Sequence, residues 1–258
     1  PPPPGPAFDT IVFIHIPKTG GSTLRHVLSR HLPAEPVRLL TGSQTAHLWA
    51  GSDLSGYRLV SGHVPFGLHA LIAGRPAYVT MLRHPLDRIA SEYRYRHQRH
   101  HAGHGHHGRA ADSFAAFADA LVPYDDNWLT RFLAGEDDTQ LQPSDLPHEP
   151  LQNAPLDQAV YDRAVANPEE RLHAFGLCEA FEASVELIHA RLGWRPAFYR
   201  PVNTSAVRGT LADLPPQAYD RLVARNQVDL KLYAHARPRF WRAYTETFPD
   251  PPVPAGDP

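Results

Sequence analysis

A short run of small and basic residues between two patterned segments has the composition of a phosphate-binding loop. Residues 17–23 read PKTGGST and follow the apolar segment IVFIHI. Paired glycines let the chain turn tightly and bring its amides close to a ligand. Lys18 adds a mobile positive charge, and a helix that begins at Ser22 or Thr23 directs its free N–H groups at the same loop. The pattern predicts an anion site at this turn.

The order of residues differs from that of the P-loop of nucleoside triphosphatases. The P-loop places its lysine after the second glycine, directly before Ser or Thr. Here Lys18 precedes both Gly20 and Gly21. The difference indicates another phosphate ligand, or a phosphate held in another orientation, and makes a second anion site worth seeking.

A second basic site follows another predicted strand. Residues 77–95 read AYVTMLRHPLDRIASEYRY, in which the apolar run 78–82 ends at Arg83 and Pro85 opens a helix. Ser91 lies about two turns into that helix, where its hydroxyl is positioned to help Arg83 bind a phosphate. Two such sites predict a ligand with two phosphate groups.

The ordered pair of motifs resembles the sulfotransferases that use 3′-phosphoadenosine 5′-phosphosulfate (PAPS). The first motif is PKTGGST, and the second is R-x-P-x-x-R-x-x-S-x-Y, which begins at Arg83. Three further segments resemble the family-2 branch, which includes the heparan and uronyl 2-O-sulfotransferases and bacterial members: TRFLAG at 130–135, FGLCEAFEASVELIHARLGW at 175–194 and NQVDLKLYAHARPRFW at 226–241. The resemblance implies a P-loop-like three-layer α/β fold with a mainly parallel central sheet flanked by helices.

The resemblance also implies a role for each residue of the two motifs. Lys18 would stabilise the charge that develops on the departing phosphate, and Arg83 with Ser91 would bind the 3′-phosphate. The other residues of the 5′-phosphosulfate site would be Thr19, Gly20, Gly21, Ser22 and Thr23. In the segment VNTSAVR at 202–208, Ser205 and Arg208 would close over the 3′-phosphate side, with a plain surface turn as the alternative.

His63, in the segment GHVPFG at 62–67, corresponds by resemblance to the catalytic base of the 2-O branch. Its position supports the same role, because it follows a strand-like run just as Lys18 and Arg83 do. The carboxyl ends of parallel strands line one crevice, so the three side chains should converge there. A neutral imidazole, with an ordinary pKa of ~6.5, can accept a hydroxyl proton near neutral pH. The alternative is a capping or structural histidine.

These roles predict in-line transfer of a sulfuryl group to an acceptor hydroxyl on a carbohydrate. His63 would take the hydroxyl proton, while Lys18 and the loop amides would stabilise the departing bisphosphate. The donor would be PAPS, and the chemistry requires no metal. Two alternatives remain: an ATP-dependent kinase, disfavoured by the position of Lys18 and the lack of a clear acidic Mg²⁺ site, and a non-catalytic polyanion- or metal-binding module.

The alternative of a polyanion- or metal-binding module rests on residues 94–109, RYRHQRHHAGHGHHGR, which combine arginine and histidine without an acidic residue. The segment is interpreted as a solvated loop, as a contact for an anionic acceptor, or as a metal site. Its glycine-rich spacing fixes no ligand geometry. The net charge of −2 argues against a general polyanion binder, and no nucleic-acid partner is expected.

The composition predicts one globular α/β domain, since 42% of the 258 residues are hydrophobic and 20% are charged. Strand-like runs at 10–16, 57–61, 77–82 and 173–178 alternate with helical patterns at 22–32, 85–99, 113–122 and 180–192. The domain should cover residues 8–248, between proline-rich tails at 1–7 and 249–258. Because the sequence has one cysteine and neither a signal sequence nor a membrane-spanning apolar run, we expect a soluble bacterial enzyme in the cytoplasm.

Overall fold

The fold is organised around one parallel β-sheet. A computed structural model of the chain describes residues 8–32, 36–40, 52–101, 113–121, 126–135, 156–195 and 211–249. Its five strands run in the order β2-β3-β1-β4-β5, and every neighbouring pair is parallel. The strands are β1 (Thr10–Ile14), β2 (Val37–Leu40), β3 (Leu59–Gly62), β4 (Pro76–Leu82) and β5 (Leu172–Leu177).

Helices cover both faces of this sheet. They are α1 (Gly21–Arg30), α2 (Pro85–His101), α3 (Phe114–Ala120), α4 (Trp128–Ala134), α5 (Gln158–Arg171), α6 (Phe181–Arg191), α7 (Pro216–Arg225) and α8 (Gln227–Thr247). Short 3₁₀ turns occupy Leu68–Leu71, Cys178–Ala180 and Leu211–Asp213. Among the described helices, none is long and apolar enough to span a membrane.

The burial of the central strand β1 shows that helices cover the sheet on both faces. All five of its residues are buried, which is typical of a parallel strand covered on both sides. Ile11 and Phe13 belong to a cluster with residues of α1 and α6. Val12 and Ile14 belong to the opposite cluster, which includes residues of α4, α5 and α8. The predicted three-layer α/β fold with a parallel central sheet is confirmed.

A buried polar junction joins α4 to α8. The carboxylate of Asp229 accepts hydrogen bonds from Leu129 N (2.9 Å), Thr130 N (2.7 Å) and Thr130 Oγ1 (2.7 Å). The main-chain N–H of Asn127 donates to Asn226 Oδ1 over 3.1 Å, and Asp229 N donates to Asn127 Oδ1 over 2.9 Å. Two of the segments that carry the resemblance, TRFLAG and NQVDLKLYAHARPRFW, therefore meet at this junction.

The predicted domain limits at residues 8 and 248 stay a prediction. Residues 1–7 and 250–258 lie outside the described part of the chain. Residues 102–109, the second half of the Arg/His segment, and the predicted nucleotide contacts Ser205 and Arg208 lie outside it as well.

Candidate active site

The register of the sheet brings the ends of three strands to one edge. Ile14 of β1 lies opposite Gly62 of β3 on one side and opposite Thr80 of β4 on the other. The chain then continues from each strand into a residue of chemical interest, His15 after β1, His63 after β3 and Arg83 after β4. The predicted convergence of these strand ends is present in the fold.

The turn after β1 has the strained geometry of a ligand-binding loop. Lys18 and Gly20 adopt positive φ angles of 68° and 82°. Positive φ is uncommon for a residue with a side chain, and such strain often accompanies a binding site. Inside the turn, the buried hydroxyl of Thr19 donates to the oxygen of Ile16 over 2.8 Å, which holds the loop closed at its base.

Helix α1 begins directly at the loop. Its first residue is Gly21, one residue before the predicted start at Ser22 or Thr23, and Gly20 occupies the cap position without a side-chain hydrogen bond. Backbone amides of Thr23 and Leu24 bond back to the oxygen of Gly20. The remaining first-turn N–H groups and the positive end of the helix face the loop, as an anion site requires.

Lys18 lies in a cluster of positive charge. Its Nζ lies 3.8 Å from the centroid of the Tyr95 ring on α2. Burial lowers the pKa of Lys18 to about 8, with a further lowering from Arg83, Arg94 and Arg88, while Glu92 opposes the shift. A bound anion would relieve this repulsion, so the cluster is suited to a highly charged ligand.

Arg83 contacts the loop itself. Its Nη1 donates to the main-chain oxygen of Lys18 over 3.2 Å. Arg94, on α2, lies close enough to Arg83 that this neighbour adds to burial in lowering the pKa of Arg94. Ser91 is half-buried on the same helix, three residues from both Arg88 and Arg94, and so shares a face with them. Sequence reasoning placed Arg94 in the Arg/His segment 94–109 and missed it as a neighbour of Arg83.

His63 has a defined tautomer. Its Nδ1 lies 2.7 Å from the main-chain oxygen of His15. Because a carbonyl oxygen only accepts hydrogen bonds, Nδ1 carries the proton and Nε2 of the neutral ring keeps a free lone pair. His63 retains exposed surface, yet burial by its surroundings lowers its pKa, with Arg25 and Lys18 acting in the same direction. The hydrogen bond to His15 and the charge of Glu92 oppose that shift. The ring is therefore neutral and accessible near pH 7.

His15 is a second histidine at the site, and sequence reasoning missed it. Its ring centroid lies 4.6 Å from that of His63, and its other side stacks on Phe13 at 5.4 Å. Only 8% of His15 is exposed, and burial lowers its pKa to about 3. The sequence did contain a signal for His15. It is the first residue after β1, just as His63 is the first residue after β3.

Glu179 has a structural role beside the site and is assigned no catalytic one. Its Oε1 accepts from His84 N over 2.7 Å, and its Oε2 accepts from the hydroxyl of Tyr233 over 2.9 Å. The carboxylate thereby ties the turn after β4 to α8. Within the described residues, no group of three or more His, Cys, Asp or Glu side chains is arranged to hold a metal ion.

Comparison with known proteins identifies the family. The galactose-3-O-sulfotransferase family model matches residues 1–250. The chain belongs to the galactose-3-O-sulfotransferase family. It is 26% identical to galactose-3-O-sulfotransferase 3 of Bos taurus and 25% identical to that of Homo sapiens, each over 93% of this chain and 58% of the relative. Galactose-3-O-sulfotransferase 2 of Sus scrofa is 24% identical over 95% of this chain and 64% of its own length.

The chain thus spans about 58 to 64% of the length of these family members. Among solved structures, the mouse sulfotransferase SULT7A1 complexed with PAP matches with a TM-score of 0.42 and 15% identity. That match covers 95% of this chain and 85% of the mouse chain.

Family membership corrects the expected cellular location and bears on two further expectations, the bacterial type and the 2-O subtype. The mammalian galactose-3-O-sulfotransferases that the chain resembles are Golgi-resident type II membrane enzymes, so the prediction of a cytoplasmic location is wrong. The three relatives are mammalian and give no support to the expected bacterial type. The match confirms the sulfotransferase assignment at the level of the galactose-3-O family, and it does not confirm the finer 2-O subtype.

Proposed function

We propose that the chain transfers a sulfuryl group from PAPS to a hydroxyl of a glycan, with galactose as the sugar that accepts it. The observation that carries the proposal is the convergence of Lys18, Arg83 and His63 at the carboxyl edge of one sheet, in a member of a sulfotransferase family. The three mammalian relatives, all galactose-3-O-sulfotransferases, support galactose as the acceptor sugar.

The donor site would consist of the loop 17–23 and the start of α2. The 5′-phosphosulfate would lie against the amides of Gly20 and Gly21 and the side chains of Ser22 and Thr23. Arg83, Ser91 and the newly found Arg94 would bind the 3′-phosphate. Because Arg83 already reaches the main chain of Lys18, one nucleotide can contact both groups at once.

The nucleotide fits the charge of this site. Burial lowers the pKa of Lys18 to about 8, and Arg83, Arg94 and Arg88 lower it further while Glu92 opposes the shift, so an excess of positive charge lies in a partly buried place. Two phosphate groups would neutralise this excess. A ligand with one phosphate would satisfy only part of it.

The transfer step would use His63 as general base. The unprotonated Nε2 takes the proton of the acceptor hydroxyl as that oxygen forms its bond to sulfur, and the bond between sulfur and the bridging phosphate oxygen breaks. The negative charge that leaves with the bisphosphate is stabilised by Lys18 and by the amides at the start of α1. Donor and acceptor would both be held at the strand ends, so positioning would supply much of the rate.

Calorimetry followed by a transfer assay tests this function. Adenosine 3′,5′-bisphosphate should bind much more tightly than either adenosine 5′-phosphate or Mg-ATP. Transfer of labelled sulfate should then be seen with galactose-terminated glycans, and not with phenols or lipids. Preferential binding of Mg-ATP would indicate a kinase, while bisphosphate binding with transfer only to phenols would contradict the glycan acceptor.

A further inference from the structure

His15 lies between the donor-binding loop and the candidate base. Its main-chain oxygen receives the hydrogen bond of His63 Nδ1 over 2.7 Å, and its ring lies 4.6 Å from the His63 ring. His15 itself is only 8% exposed, whereas His63 retains exposed surface. A single residue thereby fixes the tautomer of His63 and packs against the side of its ring.

The His15 ring also lies directly against the loop, at Gly21. A Cβ atom added to Gly21 would lie 2.0 Å from Cδ2 and 2.4 Å from Nε2 of His15, far closer than atoms can approach. Gly21 begins α1 and is not among the residues with positive φ, so its backbone does not require glycine. Close approach of the His15 ring is what excludes a side chain at Gly21.

The ring at this place stays uncharged. Burial lowers the pKa of His15 to about 3, and His63, Arg25 and Lys18 add to the lowering. A positive charge here would repel both Lys18 and a protonated His63. A neutral ring instead supplies a rigid surface between the loop and the base.

We propose that His15 is a positioning residue that sets the distance and orientation of His63 relative to the phosphosulfate-binding loop. It touches neither substrate in this role and acts through His63 and Gly21. The inference rests on the function proposed above, and it explains why a histidine follows the first strand and why glycine follows Gly20.

Removing and replacing the ring tests the role. His15→Ala should lower kcat by about tenfold to a hundredfold, because a displacement of about 1 Å is enough to misalign a base. The Kd for adenosine 3′,5′-bisphosphate should change less than about threefold, since the loop keeps its own phosphate contacts. His15→Phe restores a neutral ring and should recover most of the lost kcat.

These outcomes separate positioning from other roles. Wild-type kcat in His15→Ala, or a loss of nucleotide affinity equal to the loss of kcat, would overturn the proposal. So would a folded His15→Phe protein that is as slow as His15→Ala, because the shape of the ring would then be irrelevant.

A double-mutant cycle tests the contact with the loop. Gly21→Ala should lower kcat by pushing the His15 ring away. The same substitution should cost much less in the His15→Ala background, where the methyl group has space. Equal costs in both backgrounds would show that the two residues are not coupled, and the proposal would be wrong.

Nitrogen NMR of labelled histidine gives a readout that does not need activity. In the wild-type protein, His63 should be observed as the Nδ1–H tautomer. His15→Ala retains the main-chain oxygen that accepts this hydrogen bond but removes the ring that packs His63 beside it, so the Nε2–H form should appear. The charged and titratable groups that face His63 are His15, Arg25, Lys18 and Glu92, and the last three remain in this variant. An unchanged tautomer would overturn the positioning role. A changed tautomer in a chain that transfers no sulfate would uphold that role and reject only the proposed function.

Discussion

Arg83 donates a hydrogen bond from Nη1 to the main-chain oxygen of Lys18 over 3.2 Å, although 65 residues separate them in the chain. The contact links the end of β4 to the turn after β1. Both strands are neighbours in the sheet, so the link is a consequence of their pairing. It also sets the spacing between the two predicted phosphate sites.

Replacement of Arg83 should discriminate between nucleotides. In Arg83→Ala, adenosine 3′,5′-bisphosphate should bind about tenfold to a hundredfold more weakly, because a charge-assisted hydrogen bond contributes roughly 1.5–3 kcal/mol. Adenosine 5′-phosphate lacks the 3′ group and should be affected much less. Calorimetric titration of both nucleotides measures the difference.

Arg75 provides a matched control for this substitution. It precedes the same strand at the opposite end, where it pairs with Asp9 and its side chain is 64% exposed. Arg75→Ala should leave both affinities unchanged. An equal loss for the two nucleotides in Arg83→Ala would contradict the 3′-phosphate role.

Nucleotide binding should depend on the protonation of Lys18. Its pKa of about 8 in the free protein means that part of the population has lost the charge at pH 8. A bound phosphate favours the charged form and raises that pKa, so binding takes up protons and weakens as the pH rises from 7 to 9. Calorimetry in buffers of different ionisation enthalpy measures the uptake.

Lys18→Arg is the control, since arginine stays charged throughout this range. This variant should show little proton uptake near pH 8. If uptake were the same in both proteins, another group would be responsible for it.

His63 should be required for transfer and not for donor binding. His63→Asn keeps an N–H donor for the His15 oxygen but has no basic nitrogen. Its kcat should fall by about 10² to 10⁴, while the Kd for adenosine 3′,5′-bisphosphate stays within about twofold of wild type. In the wild type, kcat should fall as the pH drops through the lowered pKa of His63, below 6.5.

The exposed histidine His26 on α1 serves for comparison. His26→Asn should retain the wild-type rate and pH profile. Sulfate transfer at a wild-type rate by His63→Asn would exclude His63 as the base.

The parts of the site that could be predicted from the sequence are those that a short stretch of consecutive residues specifies. The loop of Lys18 and the strand end before Arg83 each have a composition and order that physical rules interpret directly. The start of α1 was placed at Ser22 or Thr23 because hydroxyl caps are common, whereas the structure uses Gly20, whose positive φ makes the turn without a side-chain cap. The local rule was correct about the helix and wrong about its first residue.

Other features depend on packing that no local pattern contains. Strand β2 has four residues at an edge of the described sheet, and three of them are not fully buried, so its apolar signal is weak. The importance of His15 follows from its contact with Gly21 and with His63, 48 residues away. Arg94 is one basic residue among several in its helix, and only the fold shows which of them faces Arg83.

The junction at Asp229 should be essential for stability. Asp229→Ala would leave the main-chain amides of Leu129 and Thr130 and the hydroxyl of Thr130 without their acceptor in a fully buried place. These donors lie about 100 residues before Asp229 in the chain. The loss of free energy of unfolding should be roughly 2–5 kcal/mol, from unsatisfied donors and a lost helix cap. Urea denaturation followed by circular dichroism measures it.

Asp229→Asn keeps one acceptor oxygen and should cost less than Asp229→Ala. Asp119 pairs with Arg221 at the surface, where its side chain is 54% exposed. Asp119→Ala should therefore change stability by less than about 1 kcal/mol. A similar cost at Asp119 and Asp229 would mean that the buried hydrogen bonds are not the source of stability.

The buried histidine His189 should make the fold sensitive to acid. Only 1% of it is exposed, its ring lies 4.7 Å from that of His31, and neither of its ring nitrogens has a hydrogen-bond partner among the described residues. Burial, together with His31, lowers its pKa from 6.5 to about 4. The folded chain thus keeps the ring neutral at pH values where the unfolded chain binds a proton.

The direction of the effect follows from that difference in proton binding. Unfolding takes up a proton below pH 6.5, so stability is retained above this value and falls by roughly 3 kcal/mol as the pH decreases to about 4. His189→Leu should flatten this part of the stability curve, measured by urea denaturation at each pH, leaving the slope that the other histidines with a lowered pKa contribute, His15, His31 and His63. His26→Leu, at an exposed position, should keep the full slope. If His189→Leu kept it too, the acid sensitivity would have to arise from other groups.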